Sequence, residues 1–117
     1  MRDLSDQLLE RIAQRFRAMS NPVRLKILHA LQEGELAVSE ILDRVGGSQA
    51  NTSKHLGVLR AAGLVASRRN GVSVRYRISD AAVFSLCEVV CDSLHSRASA
   101  EVEVIERGRD AILTGSS

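Results

Sequence analysis

SQANTSKHLGVLRAAGLV, residues 48–65, changes character halfway along. Its first half is Gln, Asn, Thr, Ser, Lys and His; its apolar positions, Leu56, Val58 and Leu59, all fall in the second half. Ser48 suits a helix N-cap and Gly63 a helix stop. A helix with this split is anchored by one half and presents the other. That is the composition a DNA-reading helix requires, with hydrogen-bonding side chains facing base edges and phosphates and an apolar remainder holding the core. Gln49 and Asn51 can donate and accept in the bidentate manner suited to adenine, and Thr52 and Ser53 can reach bases or phosphates. Lys54 and Arg60 can neutralise phosphates, and His55 can contact phosphate or cap part of the core. An ordinary surface helix with its polar residues outside is the rival reading, and the flanking segments argue against it.

Upstream, VSEILDRV (38–45) reads as a short helix closed by Gly46-Gly47, so that two helices meet across a tight connection as in a helix-turn-helix. Downstream, LVASRR and VSVRYRI read as two strands, Val74, Tyr76 and Ile78 alternating with Ser73, Arg75 and Arg77. Asn70-Gly71 between them is a strong hairpin signal. Further upstream, Leu8, Ile12 and Phe16, with Leu4 and Leu9 beside them, form the apolar stripe of an amphipathic helix. Asn21 then caps a second helix with Pro22 in its first turn, Leu25, Leu28 and Leu31 facing inward, and Gly34 at its end. After the hairpin, Asp80 caps a long helix running to Leu113, with Ser96–Ser99 and Gly108 as places for a kink or fraying. The expected fold is mainly α with a β-hairpin wing: four helices, the hairpin, then a fifth helix, in a single domain over residues 1–117.

Composition agrees. The chain has 117 residues, 44% of them hydrophobic and only 3% aromatic, so the core must be aliphatic. No apolar run approaches the ~18 residues that span a bilayer. The start, MRDLSDQLLE, is charged and lacks a signal-peptide core, and the end, TGSS, is a short polar tail. A soluble cytoplasmic protein with reduced thiols and no membrane partner is expected.

The net charge of +2 hides a segregation. Between Arg44 and Ser79 lie seven basic residues (Arg44, Lys54, Arg60, Arg68, Arg69, Arg75 and Arg77) and no acidic one. The remainder holds all 14 acidic residues against nine basic ones, so the segment carries +7 and the rest −5. A solvated surface normally mixes both signs; this separation is the footprint of a nucleic-acid-binding face.

NPVRLKILHALQEGELAVSEI, SQANTSKHLGVLRAAGLV and SRRNGVSVRYRI, in that order, resemble the winged helix-turn-helix repressors of the ArsR/SmtB family. The resemblance covers roughly residues 8 to 80. It implies a homodimer joined through the first helix (about 4–19) and the last (about 80–113), repressing a nearby operon. By position it places Gln49, Asn51, Thr52, Ser53, Lys54 and His55 on the recognition helix, which Ser48 opens, and Arg68, Arg69, Asn70 and Arg75 on the wing. A two-fold dimer presents two such helices. Its double-stranded operator should therefore be an imperfect palindrome with half-sites ~10 base pairs apart or a multiple of that.

Members of the family release DNA when a signal binds, and two familiar sites can be compared. A Cys-x-Cys at the start of the third helix is replaced here by Ala37, Val38 and Ser39. A zinc site from Asp-x-His and a later His-x-x-Glu keeps only Asp80, with Ala82, Ser93 and Ser96 at the other positions, so Asp80 is read as a helix cap. What remains is Cys87 and Cys91, the only cysteines, at i, i+4 on one helix face flanked by Val83, Val90 and Leu94. Buried cysteine also behaves as a small hydrophobe, so packing at the dimer seam is the alternative. His95 continues the row, with Glu88 and Asp92 beside it. Cys87 and His95 are eight residues apart, about 12 Å of helix, too far for one metal ion to take all three. Cys87 and Cys91 from both chains could form a four-sulfur soft-metal site. No resident cofactor is expected, only a soft metal or metalloid, a persulfide or an oxidant as signal. An enzyme is not expected: there is no Cys-x-x-Cys and no base constellation beyond His95.

Overall fold

The computed structural model describes the backbone of residues 4–113 and the side chains of residues 4–109. The first three residues and the polar tail 114–117 lie outside the described residues. In order, the elements are α1 (Asp6–Met19), α2 (Pro22–Ala30), β1 (Leu36–Ala37), α3 (Val38–Val45), α4 (Gln49–Ala61), β2 (Val65–Asn70), β3 (Ser73–Ile78) and α5 (Ala82–Leu113). This is the expected winged helix-turn-helix. Packing divides the chain into two compact units, one ending at Ala81 and the other formed by α5.

Local chemistry explains the boundaries. Ser5 caps α1 by accepting from the Leu8 N–H, and the Asn21 side chain accepts from the N–H groups of both Val23 and Arg24. Pro22 takes the first helical position, where no N–H is needed. Ser48 caps α4 by accepting from the Asn51 N–H at 3.1 Å. Between α3 and α4 the chain turns on Gly46 (φ 80°) and Gly47 (φ 85°). Two successive residues in the left-handed region are what glycine tolerates and side-chain-bearing residues resist.

The core is aliphatic, as expected. Ile27, Leu28 and Leu31 from α2, Leu36 from β1, Ile41 from α3, Leu56 and Leu59 from α4, and Leu64 and Val65 are buried together with Ala18. Leu25 is only half-buried, and α2 ends at Ala30, short of Gly34.

Two features differ from the sequence reading. A third strand, β1, pairs with β3 (Leu36↔Tyr76, Ala37↔Arg75), so the sheet order is β1-β3-β2. Two residues leave too short a pattern for periodicity to reveal. In the wing, β2 and β3 pair with Asn70 opposite Ser73, so Gly71 and Val72 form the turn rather than Asn70 and Gly71. Only Gly71 has a positive φ (65°), the pattern of a type II′ turn, which asks for glycine at its first central position.

α5 is one 32-residue helix, uninterrupted through Ser96–Ser99 and Gly108, about 48 Å long at the usual rise. No helix among the described residues is long and apolar enough to cross a membrane.

Replacing Asn21 by Ala should leave two N–H groups of α2 unpaired and lower stability by about 1 kcal/mol, while Asn21→Asp should retain most of it. The midpoint of urea unfolding at fixed protein concentration, with an unchanged m-value, measures this.

Candidate nucleic-acid interface

The helix α4 faces two ways. Thr52, His55, Leu56 and Leu59 are buried, an i, i+3, i+4, i+7 stripe along its whole length. Gln49, Asn51, Ser53, Lys54, Gly57 and Arg60 are exposed. The split is therefore by side as well as by end, which corrects the outward placing of Thr52 and, for His55, favours the core role over the phosphate contact. Thr52, 2% exposed, and His55, 8% exposed, belong to the anchoring stripe and do not present their side chains to a ligand. Ser48 spends its hydroxyl on the cap. The outward set on the helix is Gln49, Asn51, Ser53 and Lys54, with Arg60 at its far end donating to the Ser67 hydroxyl at 3.3 Å.

His55 has a structural role instead. Arg24 on α2 donates from Nε to His55 Nδ1 at 3.1 Å. Nδ1 is then the acceptor, so the neutral ring carries its proton on Nε2. The same guanidinium donates from Nη1 to the carbonyls of Arg17 (3.3 Å) and Ala18 (3.5 Å) at the end of α1. One arginine thus ties α1, α2 and the recognition helix together. Burial, and then the positive charges of Arg24 and Lys54, hold the His55 pKa below its ordinary value of 6.5.

The basic segment is less free in space than in sequence. Glu35, just before β1, takes Arg68 in a bidentate pair, Nε to Oε1 at 2.6 Å and Nη2 to Oε2 at 2.8 Å. Arg75 lies 3.5 Å from the same carboxylate and 3.5 Å from Glu40. Hydrogen bonding from Arg68, reinforced by its charge and that of Arg75, lowers the Glu35 pKa despite opposing desolvation. Arg44 donates to the Ala30 carbonyl at 3.3 Å. Lys54, Arg69 and Arg77 are exposed, and Asn70 lies beside Arg69 at the wing's tip. Sequence reasoning missed the two acids because they lie outside the segment they neutralise. The lone Glu before a two-residue strand carries no motif.

On α5, Cys87 is half-buried, and Cys91 and His95 are exposed, with Glu88 and Asp92 also exposed. Among the described residues no three His, Cys, Asp or Glu side chains converge as a metal site within one chain needs. Asp80 pairs with Arg15 on α1.

A family profile described as a helix-turn-helix domain matches residues 19–68. The HTH-type transcriptional regulator Rv0081 of Mycobacterium tuberculosis is 37% identical over 103 residues, 87% of this chain and 90% of its own length. Its crystal structure superposes with a TM-score of 0.73 at 36% identity, covering 84% of this chain and 99% of that one. The homodimeric winged helix-turn-helix DNA-binding domain of Mb0332 from Mycobacterium bovis, a possible ArsR-family transcriptional regulator, superposes with a TM-score of 0.71 at 36% identity, covering 83% of this chain and 95% of that one. The biofilm growth-associated repressor of Xylella fastidiosa is 40% identical over 70 residues; the match takes in 60% of this chain but only 61% of that protein's length.

In the unfolded chain His55 protonates near 6.5, whereas the folded chain binds that proton only at lower pH. Unfolding below about 6.5 therefore takes up a proton, and the stability present above that pH is lost as pH falls through the folded pKa. His55→Gln should flatten the stability profile below pH 6.5 by up to about 1.4 kcal/mol per pH unit. Urea midpoints collected across pH for both proteins check this, and parallel profiles would refute it.

Proposed function

The chain belongs to the ArsR/SmtB family of winged helix-turn-helix transcriptional regulators, and from that premise we propose that it is a homodimeric, sequence-specific repressor of transcription. It binds double-stranded operator DNA, with α4 in the major groove and the wing beside it. The observation that carries this reading is the outward face of α4. Gln49, Asn51, Ser53 and Lys54 stand exposed on a helix whose opposite side is locked into the core by Thr52, His55, Leu56 and Leu59. A rigidly anchored helix with amides and a cation outward is suited to base-edge readout in a way a mobile loop is not. The operator is an imperfect palindrome matching the dimer's two-fold axis.

Uncovered apolar surface supports a dimer. On α1, Leu8, Leu9 and Phe16 are 44%, 46% and 51% exposed; on α5, Val90 and Leu94 are 49% and 64% exposed. Neither row has a reason to face water in a single chain. Cys87 and Cys91 lie on the α5 row, and we assign them as the sensor of a thiol-reactive signal: a soft metal or metalloid, a persulfide or an oxidant. Adding charge, a metal bridge or a disulfide at a dimer seam changes the spacing of the two recognition helices. An i, i+4 disulfide within one helix fits regular geometry poorly, so oxidation links the two chains or distorts α5.

Fluorescence anisotropy on DNA from the protein's own upstream region, with a shuffled control, tests the DNA reading. Asn51→Ala should cost about 1–3 kcal/mol on the operator alone. Lys54→Ala should weaken binding to both DNAs and reduce the slope of log affinity against log salt by about 0.9. Equal affinity of the native protein for operator and control, or binding indifferent to salt, would remove the proposal.

Adding Zn(II), As(III), persulfide or peroxide to reduced protein tests the thiols separately. One agent should release DNA from the native protein and leave Cys87→Ser/Cys91→Ser bound. If all four leave the native protein bound, the cysteines are packing at the dimer seam.

A further inference from the structure

β2 and β3 set two like charges directly opposite each other, Arg68↔Arg75, a pairing that is unfavourable on its own. Glu35 resolves it. Its carboxylate starts from the β1 edge of the sheet, passes the central strand at Arg75 (3.5 Å) and closes a bidentate fork on Arg68 at the opposite edge (2.6 and 2.8 Å). The Glu35 carbonyl accepts a further bond from Arg75 Nη2 at 3.4 Å, and Glu40 approaches the same guanidinium at 3.5 Å while accepting from the Ala37 N–H at 3.0 Å. The row Ala37–Arg75–Arg68 is thereby cross-linked through all three strands and into the first turn of α3. It also marks where support ends. β1 pairs with β3 only at Leu36 and Ala37, so from Arg69 through Val74 the wing projects with no third strand beside it. The direction in which the tip leaves the body is set at this row.

We infer that Glu35 is a positioning residue for DNA recognition, and that Arg68 and Arg75 are the struts it holds rather than phosphate contacts. The inference rests on the DNA-binding reading above. Two guanidiniums and two carboxylates make the row neutral, so it offers a phosphate no net attraction. Among the described residues, the wing's other cations, Arg69 at the tip and Arg77 at the base, are both exposed. The bracket aims Arg69 and Asn70 relative to α4. Exposed ion pairs add little to stability, so its role is to be read in DNA binding and not in unfolding.

The test uses the full, reduced protein and the operator. Salt dependence of affinity is compared for the native protein, Arg69→Gln, Arg68→Gln, Glu35→Gln and the charge swap Glu35→Arg/Arg68→Glu. Arg69→Gln should lower the slope by about 0.9, the loss of one phosphate contact, whereas Arg68→Gln should leave it unchanged. Glu35→Gln and Arg68→Gln should each weaken operator binding by a similar factor, about tenfold, and the two together should be no worse than either. The charge swap rebuilds the pair with its polarity reversed and should restore binding to within about threefold of native. If Arg68 contacts phosphate, Arg68→Gln lowers the slope by about one and the swap is the weakest binder of the set. That result overturns the inference. Tighter binding by Glu35→Gln with a steeper slope overturns it too, because Glu35 would then be a charge that merely repels DNA. Should the native protein itself fail to prefer the operator, the DNA reading fails and this inference falls with it.

Discussion

α4 has to satisfy two demands that compete for the same thirteen residues. It must be fixed firmly enough to hold a surface in register, and it must keep hydrogen-bonding side chains out of the core. The molecule meets both by devoting one continuous stripe to anchoring, Thr52–His55–Leu56–Leu59, and leaving the rest outward. The stripe buries two polar side chains, and burial of an unpaired polar group costs more than a hydrogen bond returns. The Arg24–His55 contact meets that demand for the imidazole while drawing the end of α1 onto the same guanidinium. The anchoring of α4, the packing of α2 and the placement of α1 thus share one side chain.

Electrostatics in this chain is organised in space more than along the sequence. The acid-free stretch from Arg44 to Ser79 looks like seven cations offered to a polyanion. In the fold, four of them are engaged: Arg44 on a carbonyl, Arg60 on a hydroxyl, and Arg68 and Arg75 on Glu35 and Glu40. The remaining three, Lys54, Arg69 and Arg77, are spread over α4, the wing tip and the wing base. A face that reads sequence benefits from few, well-separated phosphate contacts, because indiscriminate positive charge raises affinity for every sequence alike.

Much of this was legible beforehand, and the reasons differ by element. The caps Asn21 and Ser48, the double glycine and the alternation in VSVRYRI are local signals whose physics is complete within a few residues, and the helices and hairpin followed from them. β1 was not legible because two residues carry no period; it exists only because β3 presents an edge to it. The inward turn of Thr52 was missed, and that of His55 was only one of two readings, because a polar residue on a buried stripe is invisible unless the stripe is extended through it, from Leu59 and Leu56 back to Thr52. The outward positions Gln49, Asn51, Ser53 and Lys54 needed no such correction. Glu35 and Glu40 escaped because their partners lie across the sheet. The i, i+4 step of Cys87 and Cys91 was plain in the sequence, whereas the continuity of α5 through Ser96–Ser99 and Gly108 was not, because serines and a glycine weaken a helix locally without saying whether it breaks.

The choice of Gly71-Val72 as the hairpin turn has a consequence for how the wing can vary. Had the turn centred on Asn70-Gly71, the partner of every β2 residue would move by two: Arg68 would face Ser73, and Arg75 would face Ala66. Parity would be kept, so each side chain would stay on its own side of the sheet. Only the charge map would be rewritten, with the two guanidiniums drawn apart and beyond the span of one carboxylate. The turn therefore works as a phase setting for the electrostatics of the wing. A substitution there that never touches a charge can re-address the charges that β2 and β3 set opposite each other while each side chain keeps its face of the sheet.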